Sequence, residues 1–161
     1  MTLLDLISEK AIIVGLKGTG KNDIIGELVG ALEVGNQITD RDRVLDSVLQ
    51  REGIMSTGIG HGIAIPHGKS DAVRILSGVL GIKREGADFE SLDGQPAYIF
   101  FLLVSPADVS GPHIKALARI SRLLKAEEFR EALINTKTAQ EALGIIAEQE
   151  RLHPGPAASG S

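Results

Sequence analysis

Two apolar runs constrain this chain more than any other feature. Tyr98-Ile99-Phe100-Phe101-Leu102-Leu103-Val104 contains no charged or turn-forming residue, and Ile75 to Ile82 is nearly as continuous. A strand with one wet face alternates apolar and polar side chains, so unbroken runs of this length belong to strands covered on both faces of a sheet. The run over 98–104 is therefore expected at the centre of the sheet, stopped by Ser105-Pro106, with helices above and below. Lys83 to Pro96 reads as a long polar connection with a turn at Asp93-Gly94.

Helical spacing supplies the covering layers. Ile24, Ile25, Leu28, Val29 and Leu32 recur on one face, and Gly35-Asn36 ends that segment. Thr39 is expected to cap a second helix with Val44, Leu45, Val48 and Leu49 on its core face, running out at Arg51-Glu52-Gly53. Beyond the central run, Ile114, Leu117, Ile120, Ser121 and Leu124 mark a third. A fourth spans Glu127 to Leu133, and Thr138 with Glu141 forms a capping box for the last. Residues 2–7 form a short helical turn, and Ala11 to Val14 is a first strand. The expected fold is α/β: a single domain over residues 1–150, with a mixed β-sheet of about four or five strands and helices on both faces. The stretch 151–161, ending in Pro, Gly, Ala and Ser, is expected to be disordered.

Composition narrows the function. Seventeen Lys and Arg stand against 21 Asp and Glu, a net charge of −4, without a basic stripe, and there are four Phe, one Tyr and no Trp for stacking bases. Nucleic acid is thus not an expected partner. There is no Cys, so thiol chemistry and thiolate metal sites are excluded. No apolar run reaches the roughly 18 residues of a membrane helix, and the first residues lack a basic leader, so a cytoplasmic protein with no stable membrane insertion is expected.

Two motifs could carry chemistry. Gly15-Leu16-Lys17-Gly18-Thr19-Gly20-Lys21-Asn22 meets the Gly-x4-Gly-Lys pattern of a phosphate-binding loop, but Asn22 stands where the Mg²⁺-binding Ser or Thr belongs. The favoured reading is a Gly-rich strand-to-helix turn with Asn22 as N-cap; ATP binding through Lys21 is the weaker one. The other motif is Ile59-Gly60-His61-Gly62-Ile63-Ala64-Ile65-Pro66-His67-Gly68. Here Pro66 cannot continue a central strand, so His67 is expected at a strand end amid glycines. His61 could share a side of the same strand-turn, which invites a metal reading, but no third ligand lies at a useful spacing. Structural or supporting duty is the expectation for His61, with no metal and no cofactor. His113, just ahead of the third helix, is either a site residue or a capping or surface residue. Arg51, at the end of the second, is a site residue or a solvated helix end.

Glu52, six residues, Ile59-Gly60, two residues, Ile63-Ala64-Ile65-Pro66-His67-Gly68 resembles the active-site signature of the fructose/mannitol-type IIA components of the bacterial phosphoenolpyruvate-dependent phosphotransferase system. Lys21 with Ile25, Arg51-Glu52, Ser56-Thr57-Gly58, Asp93-Gly94, the 98–104 strand and His113 with Leu117 also fall where that family has comparable features. The likeness spans roughly residues 2 to 150 and is greatest to the nitrogen-regulatory IIA branch. It implies a phosphoryl carrier: His67 accepts phosphate from the phosphohistidine of an HPr-type phosphocarrier and passes it to a Cys of a IIB protein, or retains it as a regulatory mark. It assigns phosphoryl stabilisation to His113 and charge stabilisation to Arg51, with Glu52, Thr57, His61 and Gly68 in support. Sugar transport, and a regulatory module whose binding to a non-transport target is switched by phosphorylation, remain alternatives.

Overall fold

A computed structural model describes residues 2–155. In chain order the elements are α1 (Leu3–Leu6), a 3-10 turn at Glu9–Ala11, β1 (Ile12–Val14), α2 (Lys21–Val34), α3 (Arg41–Ile54), β2 (Gly58–Gly60), β3 (Ile63–Ala64), β4 (His67–Lys69), β5 (Ser77–Ala87), β6 (Ala97–Ser105), α4 (Gly111–Leu123), α5 (Glu127–Ile134) and α6 (Ala139–Leu152). Six strands form one mixed sheet in the order β1-β5-β6-β3-β2, with β4 also pairing β6. β3 pairs with Ile99 and Phe100, and β4 with Leu103 to Ser105, so the two short strands run one after the other along the same side of β6. The architecture is α/β and mixed as expected, with six strands against the four or five expected, because Pro66 interrupts what would otherwise be one strand.

The central position of β6 follows from its sequence. Ile99 to Val104 are at most 2% exposed. Each large apolar side chain withdrawn from water in this way stabilises the fold by about 1.5–3 kcal/mol. β5 lies antiparallel on one side, with Val79 opposite Leu102 and Leu80 opposite Phe101. Helices α2 and α3 pack together on one face, against β5 and β4 respectively; α1, α4, α5 and α6 pack on the other. The α2 residues Ile24, Ile25, Leu28, Val29 and Leu32 are wholly buried, as their spacing requires.

Four local expectations are corrected. β5 begins at Ser77 and continues through Ala87, into the stretch read as a polar connection. Lys83 can occupy a strand because its apolar stem is buried while Nζ donates to the Leu16 carbonyl at 3.2 Å and lies 3.5 Å from Glu85. Asn22 is not an N-cap; α2 starts at Lys21 behind Gly20. The cap of α3 is Asp40, whose carboxylate accepts from the Arg43 amide, while Thr39 is drawn away to the Ala72 carbonyl. In α4, Pro112 occupies the first turn, so His113 falls inside the helix and the core face is His113, Ala116, Ile120 and Leu123. Ile114, expected to be buried, is 64% exposed. At the far end α6 runs through Leu152; of the segment expected to be disordered, residues 156–161 lie outside the described residues.

Candidate phosphoryl-transfer site

Strand alternation builds the site. Along β4, His67 and Lys69 share the face toward α4, and Gly68 points the other way, against α3. A Cβ on Gly68 would sit 3.0 Å from Ser47 Oγ and 3.1 Å from the Val48 amide. Gly68 is thus required by the closeness of β4 to α3, on the face away from the His67 side chain. On the other face, His113 in the first turn of α4 approaches His67, and the two rings meet edge to face with centroids 5.7 Å apart.

The imidazoles are held differently. His67 is half-buried, and its Nδ1 lies 2.9 Å from the Ile65 carbonyl oxygen. Only a protonated nitrogen can bond a carbonyl, so Nδ1 carries hydrogen and Nε2 keeps its lone pair. Burial lowers the His67 pKa; the Ile65 hydrogen bond and Glu52 oppose this, and the Arg51 charge adds to it. His113 is only 4% exposed, with Nδ1 2.7 Å from the buried Ser105 hydroxyl. Burial, then the neighbouring His67 and Lys69, lower its pKa to about 4. At neutral pH both rings are uncharged.

Cationic groups border this pair. Arg51 donates from Nη1 to the Met55 carbonyl at 2.8 Å and forms no ion pair among the described residues. Lys69 Nζ donates to Ser110 Oγ at 2.8 Å, at the entry to α4. Sequence reasoning passed over Lys69; its spacing of two from His67 in a strand was the available signal.

Glu52 and Thr57 lie beneath the loop rather than in the mouth of the site. Glu52, 5% exposed, accepts the Thr57 amide at 2.9 Å and the Thr57 hydroxyl, and pairs with Lys21 Nζ at 2.9 Å. Lys21 is therefore the counter-ion of a buried carboxylate. The glycine-rich turn before it is likewise occupied from within: the Lys17 and Gly18 amides donate to the Glu27 carboxylate at 2.9–3.1 Å. His61 is not brought to the site. It occupies the β2–β3 turn in a left-handed conformation (φ 57°) between Gly60 and Gly62, with its amide directed to Asp93 Oδ2 at 3.3 Å. Gly62 bonds the start of β6 at Tyr98 and Ile99, whereas His67 stands beside Leu103. At about 3.3 Å per residue this separates the two histidines by roughly 15 Å along the sheet, so they cannot share a metal.

Residues 5–149 match the family described as phosphoenolpyruvate-dependent sugar phosphotransferase system, EIIA 2. The chain is 36% identical over 148 residues to a nitrogen regulatory protein of Bradyrhizobium diazoefficiens, covering 91% of this chain and 95% of that one. It is 34% identical over 151 residues to the fructose-specific EIIABC component of Bacillus subtilis, covering 94% of this chain but only 24% of that protein's length. The crystal structure of nitrogen regulatory protein IIA-Ntr from Neisseria meningitidis superposes with a TM-score of 0.82 at 27% identity, over 88% of this chain and 97% of that one.

Proposed function

Because the chain belongs to the EIIA 2 family of the phosphoenolpyruvate-dependent sugar phosphotransferase system, a family of phosphotransferase components, we propose that its own phosphoryl acceptor is His67, through Nε2. The observation that carries this reading is the Ile65 carbonyl on Nδ1, which leaves a neutral imidazole with a free lone pair beside a second neutral imidazole. The lone pair attacks phosphorus, an Nε2–P bond forms, and the N–P bond of the donor phosphohistidine breaks as the electron pair returns to the donor ring. When the Ser105 hydroxyl donates to Nδ1 of His113, that ring carries its proton on Nε2 and can donate it to an equatorial oxygen. Arg51 and Lys69 offset the charge spread over the phosphoryl oxygens in a loose transition state. Donor and acceptor are both imidazoles, so positioning and charge stabilisation suffice.

The donor is an HPr-type phosphocarrier. The phosphate then passes to a IIB cysteine, whose thiolate displaces Nε2, or stays as a regulatory mark. Coverage of nearly the whole of a nitrogen regulatory protein favours the regulatory branch, in which the added dianion changes binding to a non-transport target. Incubation with phosphoenolpyruvate, enzyme I and HPr is expected to place one acid-labile, base-stable phosphate on His67. An unlabelled wild-type protein, or full labelling of His67→Ala, would overturn the assignment. Transfer to a IIB protein, set against phosphorylation-dependent capture of a non-transport partner, separates the two destinations.

A further inference from the structure

A single chain of contacts runs from the start of α2 to the nucleophilic ring. Lys21 Nζ meets Glu52 Oε2 at 2.9 Å, and Glu52 accepts both the amide and the hydroxyl of Thr57. The Thr57 carbonyl accepts the Ile65 amide at 3.0 Å, and the Ile65 carbonyl in turn accepts Nδ1–H of His67 at 2.9 Å. Each interior member is buried: Glu52 is 5%, Thr57 4% and Ile65 4% exposed. Lys21 is fastened from a second side by the ring of Phe89, with Nζ 5.1 Å from its centroid. Glu90 lies 3.7 Å away but is exposed, so the principal counter-ion of Lys21 is Glu52.

We propose that Lys21 is a positioning residue for phosphoryl transfer, acting through Glu52, Thr57 and Ile65 to hold the His67 ring in the tautomer whose Nε2 is free. The proposal rests on His67 being the acceptor. It gives a role to a buried carboxylate and a lysine that are bonded to each other and to Thr57. A buried carboxylate without its cation is costly, so loss of the Lys21 charge either protonates Glu52 or draws in water. Both weaken its grip on Thr57, and the Ile65 carbonyl then loses its fixed place beneath the ring. With that acceptor loosened, the alternative tautomer, protonated on Nε2 and unable to attack from it, becomes populated. The same ammonium also offsets part of the Glu52 charge that reaches His67.

The test uses Lys21→Met, which keeps an apolar stem over Phe89, together with Lys21→Arg and the milder Thr57→Val. Nitrogen-15 NMR of the unphosphorylated proteins reports the His67 tautomer directly, whether or not any phosphate is transferred. The wild type is expected to show Nδ1–H with an unprotonated Nε2. Lys21→Met is expected to show a mixture of tautomers and a phosphoryl acceptance about 10- to 100-fold slower, the scale of a small misplacement of a reacting group. Thr57→Val should move the same way by less, and Lys21→Arg should restore most of the loss. Wild-type tautomer and rate in a folded Lys21→Met would overturn the proposal. If Lys21→Met fails to fold, a wild-type tautomer and rate in Thr57→Val would overturn it equally. A wild type with the stated tautomer that takes no phosphate would instead count against His67 as acceptor and leave the tautomer relay standing.

Discussion

At the scale of single residues, the site depends on two imidazoles being uncharged. The His67 pKa is lowered from 6.5, so the rate of phosphoryl acceptance should be flat from pH 8 down to about 6.5 and fall only on the acid side of that value, where the lone pair becomes protonated. Arg51 contributes to the lowering, so Arg51→Ala should raise the His67 pKa, read from the proton NMR titration of the ring, while slowing transfer. With His113 as the proposed donor to the developing charge, His113→Ala should slow transfer by about 10²-fold without unfolding the protein. His113 also ties stability to pH. Its folded pKa of about 4 lies below the unfolded value near 6.5, so between these pH values the unfolded chain holds more protons. The stability from the neutral buried ring is complete above about pH 6.5 and is lost as pH falls toward 4. Urea denaturation at pH 7 and pH 5 should show this loss, and His113→Asn should reduce it.

Among elements, the closeness of β4 to α3 decides whether His67 is presented at all. A methyl at Gly68 must displace Ser47 or the α3 backbone at Val48, so Gly68→Ala should cost about 1–3 kcal/mol in urea unfolding and move the His67 resonances. The phase of α4 matters in the same way. Apolar spacing alone placed Ile114 on the buried side, because isoleucine is a better core residue than histidine by composition. Pro112 and the Ser105 hydroxyl reverse that, turning His113 inward and leaving Ile114 exposed. A helix can bury a polar ring only where a partner waits, and that partner comes from another element.

Over the whole molecule, the two ends of the described chain are fastened by a buried pair that begins in α4 six residues beyond His113. Arg119 in α4 bonds the Glu150 carboxylate in α6 and the His153 carbonyl, and the other Glu150 oxygen accepts the Leu3 amide of α1. Neither side chain is more than 9% exposed. Arg119→Ala leaves Glu150 buried without its counter-ion and should cost about 3–5 kcal/mol, with a melting temperature lowered by roughly 10 °C. Replacing both partners by apolar residues, Arg119→Met with Glu150→Leu, should recover much of that loss in the same thermal scan, since the penalty lies in the stranded charge.

Much of this was legible in the chain itself. Unbroken apolar runs required a sheet covered on both sides, helical spacing supplied the covers, and the local order Ile-Ala-Ile-Pro-His-Gly marked where a proline interrupts a strand and a histidine stands at a strand end. Those are short-range signals, written in neighbouring residues. What the tertiary structure decided depends on separations the sequence does not order: that His113 faces His67 while His61 does not, that Lys21 pairs with Glu52, and that Gly68 is small for the sake of α3. Each turns on which surfaces meet once the core closes, and hydrogen bonds between distant segments, such as those from Lys21 to the Nδ1 proton of His67, exist only in the folded chain.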